Sequence, residues 1–157
     1  MVESQDKQIV DILSTVFDPE VPVLNIVEMG IVRGAEIDDS GVVHVALVPT
    51  YTGCPAMNAI EVLARKVIRE AGYDRCEVHT LYHEVWTTDW MTDEAREKLR
   101  EYGIAPPRYS GEKSAEPACP YCGSVDTTLT SRFGSTACKS LHFCNGCVQP
   151  FEHFKCH

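Results

Sequence analysis

The stretch MGIVRGAEIDDSGVVHVALVPTYTGCPAMNAIEVLARKVIREAG, residues 29–72, contains the pattern that defines the fold. It begins with a β-prone run and continues through Asp38-Asp39-Ser40-Gly41, which has the composition of a turn. In the second run Val43, Val45 and Leu47 alternate with other residues, as in a strand with one well-buried face. The stretch therefore predicts two strands joined by a turn and followed by a helix.

The predicted helix starts near Pro55 and ends before Gly72. Proline suits the first helical position and glycine the position just past the end. The apolar residues of the segment recur at helical spacing and form one stripe: Ile60, Leu63, Ala64, Val67 and Ala71. Because such a stripe has to be buried, we expect the helix to pack on the sheet.

Two further segments complete the predicted sheet and its helical cover. The run DKQIVDILSTVF, residues 6–17, has helical periodicity and is followed by Asp18-Pro19-Glu20, where proline stops a helix. The run RCEVHTLYHEVW, residues 75–86, is typical of a third strand. We therefore expect an α+β fold with a small sheet of about three strands backed by helices.

The chain also shows where its domains divide. A helix is predicted over residues 93–103, with Thr92 as its cap and Gly103 at its end. Residues 106–118 are rich in proline, serine, glycine and charge, which is typical of a linker. The prediction is one domain at 1–105, a linker at 106–118 and a zinc-ribbon-like module at 119–157.

Composition restricts the class of protein. The 157 residues carry a formal net charge of -9, which argues against nucleic-acid binding because phosphate recognition needs a basic surface. No apolar run approaches the roughly 18 residues of a membrane span, and the polar N-terminus lacks a secretory pattern. We therefore expect a cytoplasmic protein whose eight cysteines are thiols or metal ligands rather than disulfides.

Four cysteines of the C-terminal module have the spacing of a metal site. Cys119 and Cys122 form one Cys-x-x-Cys pair, and Cys144 and Cys147 form another, with 21 residues between the pairs. Two such turns can supply four thiolates to a tetrahedral ion, and a module this small needs a metal to fold. The prediction is structural zinc, with a mononuclear iron site of the rubredoxin sort as the alternative.

Other residues of the module could serve a second site. Cys138, Cys156 and His153, with His157 at the end of the chain, could share a labile metal. The alternative is that Cys138 packs in the ribbon and that the histidines are solvated. Both interpretations remain open at the level of sequence.

Cys54 is the notable cysteine of the first domain. It precedes Pro55 at the predicted start of a helix, where free N–H groups and the helix dipole are expected to lower the pKa of its thiol. His79 and His83 could face it from the third strand, whereas His44 has the pattern of an ordinary strand residue. A buried inert thiol, a reactive thiol and a metal ligand all remain open for Cys54.

Longer motifs resemble a known family. The segments DPEVPVLNIVEMGIV, PTYTGCPA and VWTTDWMTDEAREKLREYGI resemble SufT-type iron–sulfur assembly factors. With the tail, the whole chain resembles the PaaD family of accessory proteins of the phenylacetyl-CoA epoxidase system. The resemblance implies that Cys54 is a functional thiol, in transient contact with an iron–sulfur cluster, iron or a partner.

The resemblance also implies clients. We expect partners among the oxygenase and reductase components of a phenylacetyl-CoA monooxygenase (epoxidase), which carry a di-iron and an iron–sulfur centre. On this interpretation the chain is an accessory maturation factor in aerobic phenylacetate degradation, without activity of its own. The alternatives are a zinc-ribbon adaptor or structural subunit of the oxygenase complex, and a thiol enzyme that uses Cys54. A homodimer that shares a cluster through paired Cys54 residues would also fit.

Overall fold

The computed structural model describes residues 5–51, 53–109 and 116–155. The described residues form two compact units, one that extends to Trp86 and one that begins at Thr87. Each unit contains its own sheet, as the α+β prediction requires. Across these described ranges, no helix combines the length and hydropathy that crossing a bilayer requires.

The sheet of the first unit has the three strands that the sequence predicts. They are β1 (Val32–Ile37), β2 (Val43–Leu47) and β3 (Cys76–Thr80), in the order β1-β2-β3. β1 and β2 are antiparallel, whereas β2 and β3 are parallel. A parallel pair needs a crossover connection, and the helix between β2 and β3 supplies it. β3 is shorter than the run at 75–86 suggested.

The turn between β1 and β2 is fixed by Asp38. One oxygen of its carboxylate accepts hydrogen bonds from the backbone N–H groups of Ser40, at 2.9 Å, and Val42, at 3.0 Å. Gly41 has φ of +77°, a conformation that glycine adopts without steric cost. The turn residues predicted from composition are confirmed, and they set the pairing of β1 with β2.

Two helices pack with this sheet. α2 (Ala56–Glu70) buries Ile60 and Ala64 of the predicted apolar stripe. Leu63 and Val67 are only half-buried, the C-cap residue Ala71 is exposed, and Ile68 is buried instead. α1 (Lys7–Leu13) ends four residues before the predicted Phe17. The early end follows from Ser14 and Thr15, whose hydroxyls donate to backbone carbonyls and compete with helical hydrogen bonds.

Trp86 closes the core of the first unit. Its side chain is 2% exposed, and its indole N–H donates to the backbone carbonyl of Met29 at 3.0 Å. A buried indole needs such a partner. Trp86 therefore belongs to the core of the first unit, whereas Trp90, in the second unit, is half-buried.

The second unit contains a helix and a four-stranded sheet. α3 (Asp93–Tyr102) has the predicted Thr92 cap and ends at Gly103 with φ of +91°. The strands are β4 (Ile104–Ala105), β5 (Thr127–Ser131), β6 (Lys139–Cys144) and β7 (Gln149–Phe154). Their order is β4-β7-β6-β5, with β4 parallel to β7 and the other pairs antiparallel.

The division between the units lies before the linker expected at 106–118. β4 joins the sheet of the second unit, and a strand of two residues leaves no alternation for a sequence pattern to show. The guanidinium of buried Arg96 also donates to the carbonyls of Pro107 and Thr88 and stacks on the ring of Tyr109 at 3.9 Å. These contacts attach the first residues of the expected linker to α3.

Candidate functional site

The two Cys-x-x-Cys pairs of the second unit meet in one cluster. The Sγ atoms of Cys119 and Cys147 lie 3.7 Å apart, and those of Cys122 and Cys144 lie 3.5 Å apart. All four sulfurs lie within 4.8 Å of one another. The antiparallel pairing of β5 with β6 and of β6 with β7 brings the two turns together.

The cluster has the dimensions of a tetrahedral metal site. A zinc–thiolate bond of about 2.3 Å places the sulfurs of a tetrahedral S₄ site about 3.8 Å apart. The observed separations of 3.5 and 3.7 Å approach this value. Cys119 and Cys144 are buried, whereas Cys122 is exposed, so the site lies at the edge of the unit. The donor set and its geometry fit zinc.

The surrounding protein favours the thiolate form of one cysteine in the cluster and disfavours that of another. The backbone N–H of Cys147 lies 3.4 Å from the sulfur of Cys144 and lowers the pKa of Cys144 to about 7. Burial raises the pKa of Cys147 to about 12. Four adjacent thiolates therefore need a cation, and metal binding to this set must release protons.

Gly146 has a steric role in the second pair. A Cβ at this position would lie 3.1 Å from the side chain of Ser124 and 3.5 Å from the sulfur of Cys144. The backbone passes so close to Ser124 at this position that a larger residue before the last cysteine would be crowded. The position of Gly146 is thus compatible with the four-cysteine site.

The residues considered for a second tail site make other contacts. Buried Cys138 has its sulfur 2.9 Å from the hydroxyl of Thr136, and His153 Nδ1 lies 3.1 Å from the carbonyl oxygen of Ala105. Among the described residues, neither belongs to a group of three or more metal-ligating side chains. Cys156 and His157 lie outside the described residues, so the second tail site stays a prediction.

Cys54 lies in an open loop at the start of α2. The helix begins at Ala56 with Pro55 as its N-cap, so Cys54 precedes the cap by one residue. Gly53 has φ of +81°, and among the described residues no heavy atom beyond its chain neighbours lies within 4 Å of where its Cβ would be. Cys54 is half-buried, and the adjacent Gly53 is exposed. A partner can therefore approach the backbone of the loop closely.

The prediction that the start of the helix lowers the pKa of Cys54 is wrong. Burial raises the pKa of this thiol, and the charges of Glu20 and Asp18 raise it further. The backbone N–H of Ala56 and the side chain of Tyr51 act in the opposite direction but do not outweigh burial. The reason is tertiary, because the Asp18-Pro19-Glu20 segment places carboxylates close enough to act on the thiol.

The histidines of the first unit assemble in a group to which Cys54 does not belong. His44 of β2 and His79 of β3 lie with Glu77 in a cluster of potential ligands, whereas His83 lines the adjacent cavity. Glu77 could not be predicted as a member of the group, because an acidic residue in a strand gives no local sequence signal. The parallel register of β2 and β3 brings the three together.

Comparisons with known proteins agree with this two-part architecture. Residues 6–79 match the family model described as iron–sulfur cluster assembly protein, and residues 104–155 match the PaaD zinc beta ribbon domain. A conserved hypothetical protein from Thermotoga maritima superimposes with a TM-score of 0.53 at 29% identity, over 63% of this chain and 97% of that one. The chain thus combines an assembly-protein domain with a zinc ribbon.

Two relatives indicate the protein family to which the chain belongs. A protein of Escherichia coli, named as a putative subunit of 1,2-phenylacetyl-CoA epoxidase, is 45% identical over 92% of this chain and 89% of its own length. An Fe-S protein maturation auxiliary factor of Porphyromonas gingivalis is 32% identical over 60% of this chain and 90% of its own length. The chain belongs to the PaaD family.

Proposed function

We propose that the protein is an accessory factor that helps the metal centres of a phenylacetyl-CoA epoxidase to form. The observation that carries the proposal is the union, in one chain, of an iron–sulfur assembly domain with the PaaD zinc ribbon. The similarity to a protein named as an epoxidase component, over most of the chain, supports the choice of client. The clients would be the oxygenase, the reductase or both, in the cytoplasm.

In this proposal Cys54 is the residue that contacts the metal or cluster. Its raised pKa keeps the free thiol protonated at neutral pH, which is unfavourable for a nucleophilic or redox enzyme. A cation reverses this balance because a coordinating thiol loses its proton. The nearby charges of Asp18 and Glu20, which oppose a bare thiolate, would favour a bound iron ion. Cys54 would therefore be unreactive until metal arrives.

The second unit would stabilise the protein and present it to the client. We assign structural zinc to Cys119, Cys122, Cys144 and Cys147, because their spacing matches a tetrahedral thiolate site. The metal would hold the two turns of the ribbon together. It would take no part in the transfer of iron or of a cluster.

A second candidate function is that of an adaptor. The relative in Escherichia coli carries the name of a putative epoxidase component, which suits a protein that holds the complex together. On this alternative the thiol of Cys54 has no metal to contact. The epoxidase would then acquire its metal centres normally but would fail to assemble.

A co-expression experiment distinguishes the maturation function from the adaptor function. Oxygenase and reductase components are purified after co-expression with wild-type protein, Cys54→Ala or Cys76→Ala. Cys76 is the matched control because it is also half-buried, lies in the same unit and has a pKa raised by burial. The measurements are iron and sulfide per client, zinc per accessory chain, and complex size.

The maturation proposal predicts that Cys54→Ala alone leaves the clients deficient in iron or sulfide, with zinc in the accessory chain unchanged. Full metal content of the clients with Cys54→Ala would contradict it. If the clients are metal-replete whenever they are recovered, but complexes fail to form without the accessory protein, the adaptor function is supported instead.

A further inference from the structure

The outer face of the first sheet carries a row of polar residues across all three strands. Glu36 of β1 is opposite His44 of β2, and His44 is opposite Glu77 of β3. His79 lies two residues beyond Glu77 and therefore on the same face of β3. The buried residues of β2, Val43 and Val45, alternate with these positions and face the core.

The side chains of this row converge on one carboxylate oxygen. Glu77 Oε2 lies 3.4 Å from His44 Nδ1 and 3.4 Å from His79 Nε2. One ligand atom from each of the three residues lies within 4.8 Å of the others. Bonds of about 2.0–2.1 Å to a tetrahedral ion place its nitrogen and oxygen ligands about 3.3 Å apart. The two distances from Glu77 Oε2 to the histidine nitrogens match this ligand–ligand separation.

Asp38 orients the first histidine. Its Oδ2 atom lies 2.8 Å from His44 Nε2, the ring nitrogen that points away from Glu77. Its Oδ1 atom is held by the N–H groups of Ser40 and Val42 in the turn. A carboxylate behind a metal-binding imidazole fixes the tautomer that leaves the other nitrogen free to coordinate. With a metal bound, His44 Nε2–H would donate to Asp38, and the lone pair of Nδ1 would face the ion beside Glu77.

We propose that His44, Glu77 and His79 form a binding site for a divalent first-row transition metal, oriented by Asp38. Two imidazoles and a carboxylate are the donor set of open-site zinc and non-haem Fe(II) centres. The site shares no residue with the tail cysteine cluster and does not include Cys54, so it goes beyond the proposed function and does not depend on it.

The surroundings leave coordination positions open. A cavity of about 320 Å³ adjoins the group, and its lining includes Gly34, Ala46 and His83. Gly34 and Ala46 are paired in the sheet, and Ala46 is paired with His79, so small side chains lie beside the ligand. Water or a ligand from a partner can therefore complete the coordination. Metal held there would be exchangeable rather than enclosed.

Charge also favours a cation at this position. Asp38, Glu77 and Glu36 all act on His44 with negative charge. The side chains of Glu77 and His79 are 57% and 61% exposed, so the ligands can adjust to an ion with little cost in packing. The same exposure means that the site contributes little to folding, which makes variants of these residues suitable for a binding test.

The test is a titration of full-length, zinc-loaded protein with Co²⁺, followed by calorimetry and absorption. The proposal predicts one further equivalent of Co²⁺ without thiolate charge-transfer absorption. Glu77→Gln and His79→Asn should each weaken this equivalent tenfold or more, and Asp38→Asn should weaken it roughly 10–100-fold. Cys54→Ala should not affect it, which separates this result from that of the co-expression experiment.

His83→Asn is the matched control, because His83 lines the cavity but lies outside the group of three. Circular dichroism and zinc content verify that each variant is folded. Absence of a further equivalent in the wild type would overturn the proposal. Retention of that equivalent in both Glu77→Gln and His79→Asn, or equal weakening in His83→Asn, would also overturn it.

Discussion

Gly123 and Val148 occupy equivalent positions in the two cysteine turns. Each follows the second cysteine of its pair, and each donates its backbone N–H to the carbonyl of the first cysteine at 2.9 Å. Both have positive φ, +78° for Gly123 and +60° for Val148. Among the described residues, Val148 is the only non-glycine with positive φ. The second turn thus imposes on a β-branched residue a conformation that suits glycine.

This equivalence predicts that Val148→Gly stabilises the second unit. Left-handed backbone at a non-glycine residue costs about 1–3 kcal/mol, whereas the added freedom of glycine in the unfolded chain costs about 0.5–1 kcal/mol. The Val148 side chain is 68% exposed and loses little packing. We expect a gain of about 0.5–1 kcal/mol in the free energy of unfolding, measured by denaturation of the zinc-loaded protein.

Val125→Gly is the control for this substitution. Val125 is also 70% exposed in the same unit, but it does not have positive φ. Glycine there should destabilise by about 0.5–1 kcal/mol because only the entropic effect operates. Equal destabilisation by both substitutions would show that Val148 is not strained.

Removal of a tail ligand should unfold the second unit. Cys119→Ser and Cys147→Ser each leave three thiolates, and structural zinc contributes an apparent ~10–16 kcal/mol in small domains. We expect zinc content to fall from about one per chain to near zero, with loss of the β-sheet signal of the ribbon. Elemental analysis and circular dichroism measure the two effects. Cys138→Ser should keep its zinc, and its loss from that variant would place Cys138 among the ligands.

Acid should destabilise the second unit through His153. Burial lowers the pKa of His153 to about 4, from 6.5 in the unfolded chain. The unfolded state therefore binds more protons between these values, so this stability is complete above about pH 6.5 and is lost as the pH falls towards 4. The shift corresponds to at most about 3 kcal/mol.

The pH dependence is measured by denaturation of zinc-saturated protein between pH 7 and pH 5, above the range of extensive protonation of the folded histidine. His153→Asn should have a flatter profile than the wild type. His83→Asn, at an exposed histidine of the first unit, is measured alongside as the control for a His-to-Asn change. Identical slopes for the wild type and His153→Asn would contradict the prediction.

The carboxylate of Glu20 should suppress the reactivity of Cys54. Its charge raises the pKa of the thiol, so Glu20→Gln should lower that pKa and increase the thiolate fraction at neutral pH. Site-resolved alkylation with iodoacetamide as a function of pH measures the change. We expect faster alkylation at pH 7 in the variant, and unchanged alkylation of Cys76 as an internal control. An unaltered Cys54 profile would exclude the electrostatic effect.

Local signals predicted much of the fold. The Thr92 cap and Gly103 bound α3 as expected, and the Asp38 turn joins β1 to β2. α1 ends earlier than predicted because the hydroxyls of Ser14 and Thr15 bind backbone carbonyls of the helix. Hydrophobic periodicity carries no information about such hydrogen bonds. β4 was missed because two residues carry no alternation and its partner, β7, lies far away in the sequence.

The sequence by itself determined the spacing of the tail cysteines, the helix caps and the apolar stripe of α2, because each depends on residues a few positions apart. Tertiary structure decided the environment of Cys54, where burial and the charges of Glu20 and Asp18 outweigh the start of the helix. It also decided the grouping of His44 with Glu77 and His79, which arises from parallel strands separated by a whole helix. Electrostatics and coordination depend on distance in space, and only the folded chain defines that distance.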